Sequence, residues 1–217
     1  MRRALIAEFI GTLLLTAAVV GSGIMGEQLA GGNAAVALLA NTGATVAALA
    51  TLIAVFGPIS GAHFNPVVTL TALWQRQLPA GQAAACVALQ FAGCCAGAML
   101  ANVMFELPAV QASMHPRTGA AQWLSEVVAT AGLVFIAFSS PSVSAAAWRV
   151  PAWIGAAYWF TASTSFANPA ITIGRSLTDT FAGIRPADAP GFIVAQVAGG
   201  ILGAMLLRLF AERRVPA

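Results

Sequence analysis

The chain has 217 residues, of which 59% are hydrophobic and only 8% are charged. Soluble domains carry about 25% charged residues, so this composition excludes a soluble globular protein, a disordered chain and a nucleic-acid-binding protein. The formal net charge of +3 comes from basic residues that are all arginine. In so apolar a chain, these arginines indicate membrane topology. We therefore expect an all-α integral membrane protein.

Six apolar stretches approach or exceed the roughly 20 residues that a helix needs to cross a bilayer. In chain order they are residues 4–25, 34–56, 83–105, 122–139, 150–166 and 190–209. Glu8 interrupts the apolar run of the first stretch, and no small-residue cleavage site follows a short apolar core. We expect this stretch to remain as an uncleaved first span.

Two shorter apolar segments, 64–74 and 167–177, are about half as long as a membrane span. Each begins with an Asn-Pro pair. Proline favours the first turn of a helix, where its missing N–H would have no partner in any case. The sequence therefore predicts two re-entrant half-helices, which begin at Pro66 and Pro169.

The two halves of the chain, approximately 1–108 and 120–214, carry matching motifs in the same order. The matched residues are Glu8 with Glu126, Asn65-Pro66-Val67 with Asn168-Pro169-Ala170, and Gln90 with Gln196. Three spans per repeat is an odd number, so the second copy must be inserted upside down. Inverted repeats with interrupted short segments point to a pathway at the bilayer midplane. We expect one channel domain over 1–217.

An even number of spans places both termini on the same side of the membrane. Seven arginines then share that side: Arg2, Arg3, Arg76, Arg149, Arg208, Arg213 and Arg214. The other three, Arg117, Arg175 and Arg185, fall on the opposite side. The positive-inside rule therefore predicts cytoplasmic termini.

Half-helices that enter from opposite faces bring their positive N-terminal ends together near the membrane centre. Asn65 and Asn168 cap these ends, and their amide groups can donate into a lumen. Cations are repelled there, whereas an uncharged solute with a lone pair can bind and move on. The pattern predicts a passive conduit for neutral solutes.

The paired motifs His63-Phe64-Asn65-Pro66-Val67 and Phe166-Ala167-Asn168-Pro169-Ala170 resemble those of the major intrinsic protein family of aquaporins and aquaglyceroporins. The resemblance implies six tilted helices plus two half-helices, a pore in each protomer and a homotetramer in the membrane. It implies no enzymatic activity, cofactor or metal. Short loops and compact termini favour a bacterial cytoplasmic membrane. Val67 replaces the alanine that is usual in the family.

The family narrows its pore with four residues at fixed offsets from the asparagines, which correspond here to Thr45, Ala156, Ser165 and Ile171. The last replaces the family's usual arginine. Small or neutral residues at all four positions predict a wider and less polar filter. The segment around Ile171 is similar to aquaglyceroporin-like channels found with bacterial arsenic-resistance genes. This similarity implies glycerol and neutral or methylated arsenic acids as solutes, besides water.

Arg175 follows Ile171 by four residues and so falls on about the same helix face. One hypothesis places it in the outer vestibule, where it attracts partly ionised oxyacids. The alternative, which we favour, is a helix-end arginine that bonds loop carbonyls or pairs with Asp179.

Glu8 and Glu126 are acids within predicted spans, so a proton relay is one interpretation. Their symmetry favours a second, in which each carboxylate accepts N–H groups from a re-entrant loop. Gln90 and Gln196 are expected to tie helices to the same loops. Alternative functions are a strictly water-selective aquaporin, a coupled secondary transporter and a structural scaffold.

Overall fold

A computed structural model describes residues 1–211 and, over that range, contains helices and loops with no strand. The α-helices are α1 (Arg2–Leu29), α2 (Ala34–Ser60), α3 (Pro66–Trp74), α4 (Ala80–Met104), α5 (Ala120–Ser139), α6 (Val143–Phe160), α7 (Pro169–Arg175) and α8 (Ala189–Ala211). A 3-10 turn, Pro186–Asp188, precedes α8. Two of the arginines in the topology argument, Arg213 and Arg214, lie outside the described residues. The order long, long, short, long occurs twice.

The six long helices and two short ones confirm the predicted architecture. Among the described residues, five stretches are long and apolar enough to cross a membrane: α1, α2, α4, α5 and Pro186–Phe210, which includes most of α8. The sixth long helix, α6, has 18 residues and contains Arg149 in its second turn. The fold is that of a multi-pass membrane protein.

The predicted fifth span, 150–166, is wrong at both ends. The helix starts at Val143, because the Ser142 side chain accepts a hydrogen bond from the Ala145 N–H at 3.1 Å. It ends at Phe160, and the Ser- and Thr-rich residues 161–168 that follow form a loop before α7. Serine is a favoured N-cap and marks this start more directly than the apolar run does.

Glycines bring equivalent helix pairs of the two halves into close contact. In the first half α4 packs on α1, where Gly93 faces the Phe9 carbonyl and Gly97 faces the Leu13 carbonyl. In the second half α8 packs on α5, where Gly199 and Gly203 face backbone carbonyls in the same way. A Cβ at any of these glycines would meet backbone. Small residues at such crossings let membrane helices approach closely.

Candidate pore

The half-helices α3 and α7 meet at their N-terminal ends through a reciprocal exchange of hydrogen bonds. Asn65 Nδ2 donates to the Ala167 carbonyl at 2.8 Å, and Asn168 Nδ2 donates to the Phe64 carbonyl at 2.8 Å. Each asparagine also caps its own helix: the Asn65 Oδ1 accepts from the Val67 N–H at 2.9 Å, and the Asn168 Oδ1 from the Ala170 N–H at 3.0 Å. One N–H of each amide remains for the lumen, which both residues line.

The loops that lead into the half-helices adopt left-handed conformations that ordinary residues avoid. Phe64 has φ 49° and Ala167 has φ 48°, and Ser165 has φ 52°. Such positions cost about 1–3 kcal/mol each and persist only where the surroundings hold them. Here these left-handed residues make the backbone irregular at membrane depth. Its N–H and C=O groups therefore need hydrogen-bond partners from the protein or from the lumen.

Glu8 of α1 supplies the partners for the first loop. Its carboxylate accepts the N–H groups of His63 at 3.0 Å and Phe64 at 2.8 Å, together with the Ser60 hydroxyl at 2.6 Å. Gln90 Nε2 also donates to it at 2.8 Å. The Glu8 side chain is fully buried. Both carboxylate oxygens are therefore occupied in holding the loop.

Glu126 of α5 does the same for the second loop. It accepts the N–H groups of Phe166 at 2.9 Å and Ala167 at 2.8 Å, and Gln196 Nε2 donates to it at 2.6 Å. It is also fully buried. The two symmetric clusters match the arrangement expected for loop-holding carboxylates and leave neither acid on the cavity wall.

A cavity of about 390 Å³ runs beside the meeting point of the half-helices. A water molecule occupies about 30 Å³ in the liquid, so the cavity has room for a file of waters or a small organic solute. Its lining combines aliphatic side chains of the long helices with residues of the two re-entrant loops. The aliphatic side chains include Leu15, Val19, Leu49, Ile53, Leu133 and Ile154.

Three of the four predicted filter residues, Thr45, Ser165 and Ile171, line this cavity. The prediction for Ala156 is wrong, since this residue is exposed on the outer side of α6 and does not line the cavity. Tyr158 lines it instead, and its hydroxyl donates to Thr45 Oγ1 at 3.3 Å. Two residues along a helix rotate a side chain by about 200°, which explains the opposite placement.

The spacing of apolar residues in α6 contains the signal that the fixed offset missed. Val150, Ile154 and Tyr158 recur every four residues, and all three are buried and line the cavity. A recurrence of this kind defines one helix face. Tyr158 therefore brings an aromatic ring and a hydroxyl to a level that was expected to be small and apolar.

Arg175 also lines the cavity, at the C-terminal end of α7. Its Nε donates to the Ala182 carbonyl, and its guanidinium carbon lies 3.4 Å from the centroid of the Phe166 ring. The predicted pairing with Asp179 does not occur; that carboxylate accepts the Met114 N–H at 2.7 Å. The bond to a loop carbonyl and the place on the cavity wall, which we treated as alternatives, occur together.

Two further side chains near the pore differ in orientation. Val67 packs on Gly200 of α8, away from the main cavity, so its bulk does not narrow the lumen. His63 lines the cavity, and its Nδ1 lies 3.1 Å from Thr69 Oγ1. Sequence reasoning missed Tyr158 and gave Arg117 a role in topology alone, although Arg117 is half-buried beside Phe166.

A bundle of six long helices around two half-helices that meet end to end, with a cavity beside them, defines a membrane channel. The family model for Major intrinsic protein matches residues 1–161 and 142–216. The chain belongs to the major intrinsic protein family, whose members are passive channels and not enzymes.

Several known proteins resemble this chain. It is 50% identical over 218 residues to Aquaglyceroporin AqpS of Rhizobium meliloti (strain 1021), an alignment that covers 100% of this chain and 93% of that protein. It is 31% identical over 155 residues to the lens fiber major intrinsic protein of Gallus gallus, covering 64% of this chain and 53% of the relative. The solved aquaglyceroporin from Plasmodium falciparum superposes with a TM-score of 0.73 and 19% identity, covering 98% and 96% of the two chains. This last likeness supports the fold.

Proposed function

We propose that this protein is a passive channel for uncharged solutes up to the size of glycerol, with a filter formed by Thr45, Tyr158, Ser165 and Ile171. The observation that carries the proposal is the cavity beside the capped half-helices, whose lining combines aliphatic side chains with residues of the two re-entrant loops. A polyol can place its carbon chain against the aliphatic side chains and its hydroxyls against the polar groups of the loops. Similarity to an aquaglyceroporin over the whole chain supports this solute class.

Electrostatics favours neutral solutes over cations. Within the described part of the chain, no acidic side chain lines the cavity. The N-terminal ends of α3 and α7 add roughly half a positive charge each at the midpoint. A cation would lose its hydration there without a negative partner, at a cost of several kcal/mol.

The same observations argue against a proton-coupled transporter. Coupling needs a titratable group that alternates between the two sides of the pathway. Glu8 and Glu126 are occupied by loop N–H groups and lie behind the cavity wall. We therefore treat both as loop-holding residues, together with Gln90 and Gln196.

The finer features of the assembly also belong to this proposal. The channel domain consists of two inverted repeats, approximately 1–108 and 120–214, and both termini lie in the cytoplasm. The protein forms a homotetramer in the bacterial inner membrane, in contact with lipid and without nucleic acid or cofactor. Neutral arsenic acids, including methylated ones, are proposed as solutes in addition to glycerol and water.

A filter variant tests the proposal. Purified protein is reconstituted in vesicles, and stopped-flow light scattering follows the entry of water, glycerol and a neutral methylated arsenic acid, with protein-free vesicles as the baseline. Thr45→Phe adds a ring at the constriction, so it should lower glycerol entry several-fold while water entry persists. Thr51→Phe, at an exposed position on the same helix, is the matched control. Wild-type vesicles that admit only water would contradict the proposal.

A further inference from the structure

A guanidinium remains at the outer end of the pore although Ile171 occupies the position of the family's usual arginine. Arg175 lies one helical turn beyond Ile171, and both side chains line the cavity. Arg175 is 2% exposed and is one of the residues that line the cavity. The positively charged side chain of this pore therefore lies one helical turn beyond the position where the family usually has its arginine.

The position of this guanidinium is fixed by two contacts. Its guanidinium carbon lies over the Phe166 ring, 3.4 Å from the centroid, and its Nε donates to the Ala182 carbonyl. The ring itself is held, because the Phe166 N–H donates to Glu126 and the ring packs edge to face on Phe192 at 5.1 Å. Among the described residues no carboxylate forms a salt bridge with Arg175, and its hydrogen bond uses only Nε. The two terminal amino groups remain for a solute.

Arg117 holds the loop that orients Arg175. Its Nε donates to the Gly183 carbonyl at 2.8 Å and its Nη2 to the Phe181 carbonyl at 3.4 Å. These carbonyls flank Ala182, whose own carbonyl accepts from Arg175. Arg117 is therefore a positioning residue, and its guanidinium carbon lies 5.0 Å from the same Phe166 ring.

Ser165 provides an independent sign of a binding site. Its side chain is 2% exposed and lines the cavity, and its hydroxyl oxygen has no hydrogen-bond partner within the described chain. Buried hydroxyls without partners are uncommon, since each costs about 1–3 kcal/mol. A solute that passes this level can supply the missing bond. The hydroxyls of Thr45 and Tyr158 line the same cavity.

We propose that Arg175 and Ser165 form a specificity-determining site that selects solutes which present two neighbouring oxygens, namely neutral oxyacids, with both oxygens on one atom, and 1,2-diols, with the oxygens on adjacent carbons. A guanidinium offers two parallel N–H donors, which match a pair of oxygen acceptors and reject a neighbouring NH₂ group. This inference rests on the proposed function and names the solute class of that same pore.

Boric acid and urea are suitable probes because both are small, trigonal planar and uncharged near neutral pH. Boric acid presents three oxygens, whereas urea presents one oxygen and two NH₂ groups. The measured quantity is the ratio of boric acid to urea permeability in proteoliposomes. Arg175→Met should lower this ratio about tenfold, as expected for the loss of one charge-assisted hydrogen bond. Water permeability should persist.

Arg185→Gln is the matched control, because this arginine is on the following loop, pairs with Asp188 at 2.9 Å and does not line the cavity. It should keep the wild-type ratio. Arg117→Met should also lower the ratio, because without Arg117 the loop shifts and the Ala182 carbonyl no longer orients Arg175. Arg175→Lys should also lower it, because an ammonium keeps the charge and lacks the planar pair of donors.

A wild-type ratio in Arg175→Met would overturn the inference. If that variant does not reach the membrane, a wild-type ratio in Arg175→Lys would overturn it equally. Failure of the proposed function is a different result, in which wild-type protein raises the permeability of neither probe nor of glycerol.

Discussion

Glu126 makes the sharpest stability prediction, because one buried carboxylate satisfies three donors. Glu126→Ala would leave the Phe166 and Ala167 N–H groups and the Gln196 amide without their partner. Each unsatisfied buried donor costs about 1–3 kcal/mol, so the upper limit of the sum is about 9 kcal/mol. This is comparable with the whole stability of a typical protein, about 5–15 kcal/mol. We expect the second re-entrant loop to lose its conformation.

Glu126→Gln separates the structural role from a proton relay. Its carbonyl oxygen still accepts a loop N–H, while its NH₂ group faces a donor, so the thermal stability should fall by less than in the alanine variant. Solute flux should be reduced without any change in its dependence on a proton gradient. Glu27→Ala, at an exposed position near the end of α1, is the control and should stay within about 0.5 kcal/mol of wild type.

Thermal unfolding in detergent and stopped-flow flux in vesicles together measure both effects. If Glu126→Ala had the same unfolding temperature and the same flux as Glu27→Ala, the loop-holding role would be refuted. A flux that becomes independent of the proton gradient only when Glu126 is neutral would restore the relay hypothesis.

Packing between helices gives two further predictions. Gly200→Ala should destabilise the protein by about 1–3 kcal/mol, because the new Cβ would overlap the branched Val67 side chain. Adding Val67→Ala to the same chain should restore the unfolding temperature. If it does not, the contact between these two residues is contradicted. Gly97→Leu should prevent the close approach of α4 to α1 and so lower the amount of folded protein, measured by size-exclusion chromatography of the membrane extract. Gly81→Leu should leave that amount unchanged, because the space around the Cβ position of Gly81 is open. Equal yields of the two leucine variants would refute the second prediction.

The features that could be predicted from the sequence depend on short motifs that occur once in each half of the chain. Asn65-Pro66 and Asn168-Pro169 mark both half-helix starts, because a capping amide followed by proline is a strong helix-start signal. Matching acids in equivalent spans gave the expectation that carboxylates hold the loops. The number of long helices followed from apolar length alone.

What the sequence missed depends on contacts between distant segments. The loop after α6 is held by the Glu126 carboxylate, which accepts the Phe166 N–H from forty residues away in the sequence. Counting back from Asn168 gave Ala156, which is exposed on α6, whereas Tyr158 lines the cavity. Arg117 lies far from the pore in sequence, and only its bonds to the 181–183 loop reveal its place beside Phe166.

The most direct test of the central claim is glycerol uptake by wild-type proteoliposomes, measured over a range of glycerol concentrations with and without an imposed proton gradient. A passive channel predicts an initial rate well above that of protein-free vesicles, which rises in proportion to the glycerol gradient and is unaffected by the proton gradient. Uptake that equals the protein-free rate, or that saturates and follows the proton gradient, would contradict it.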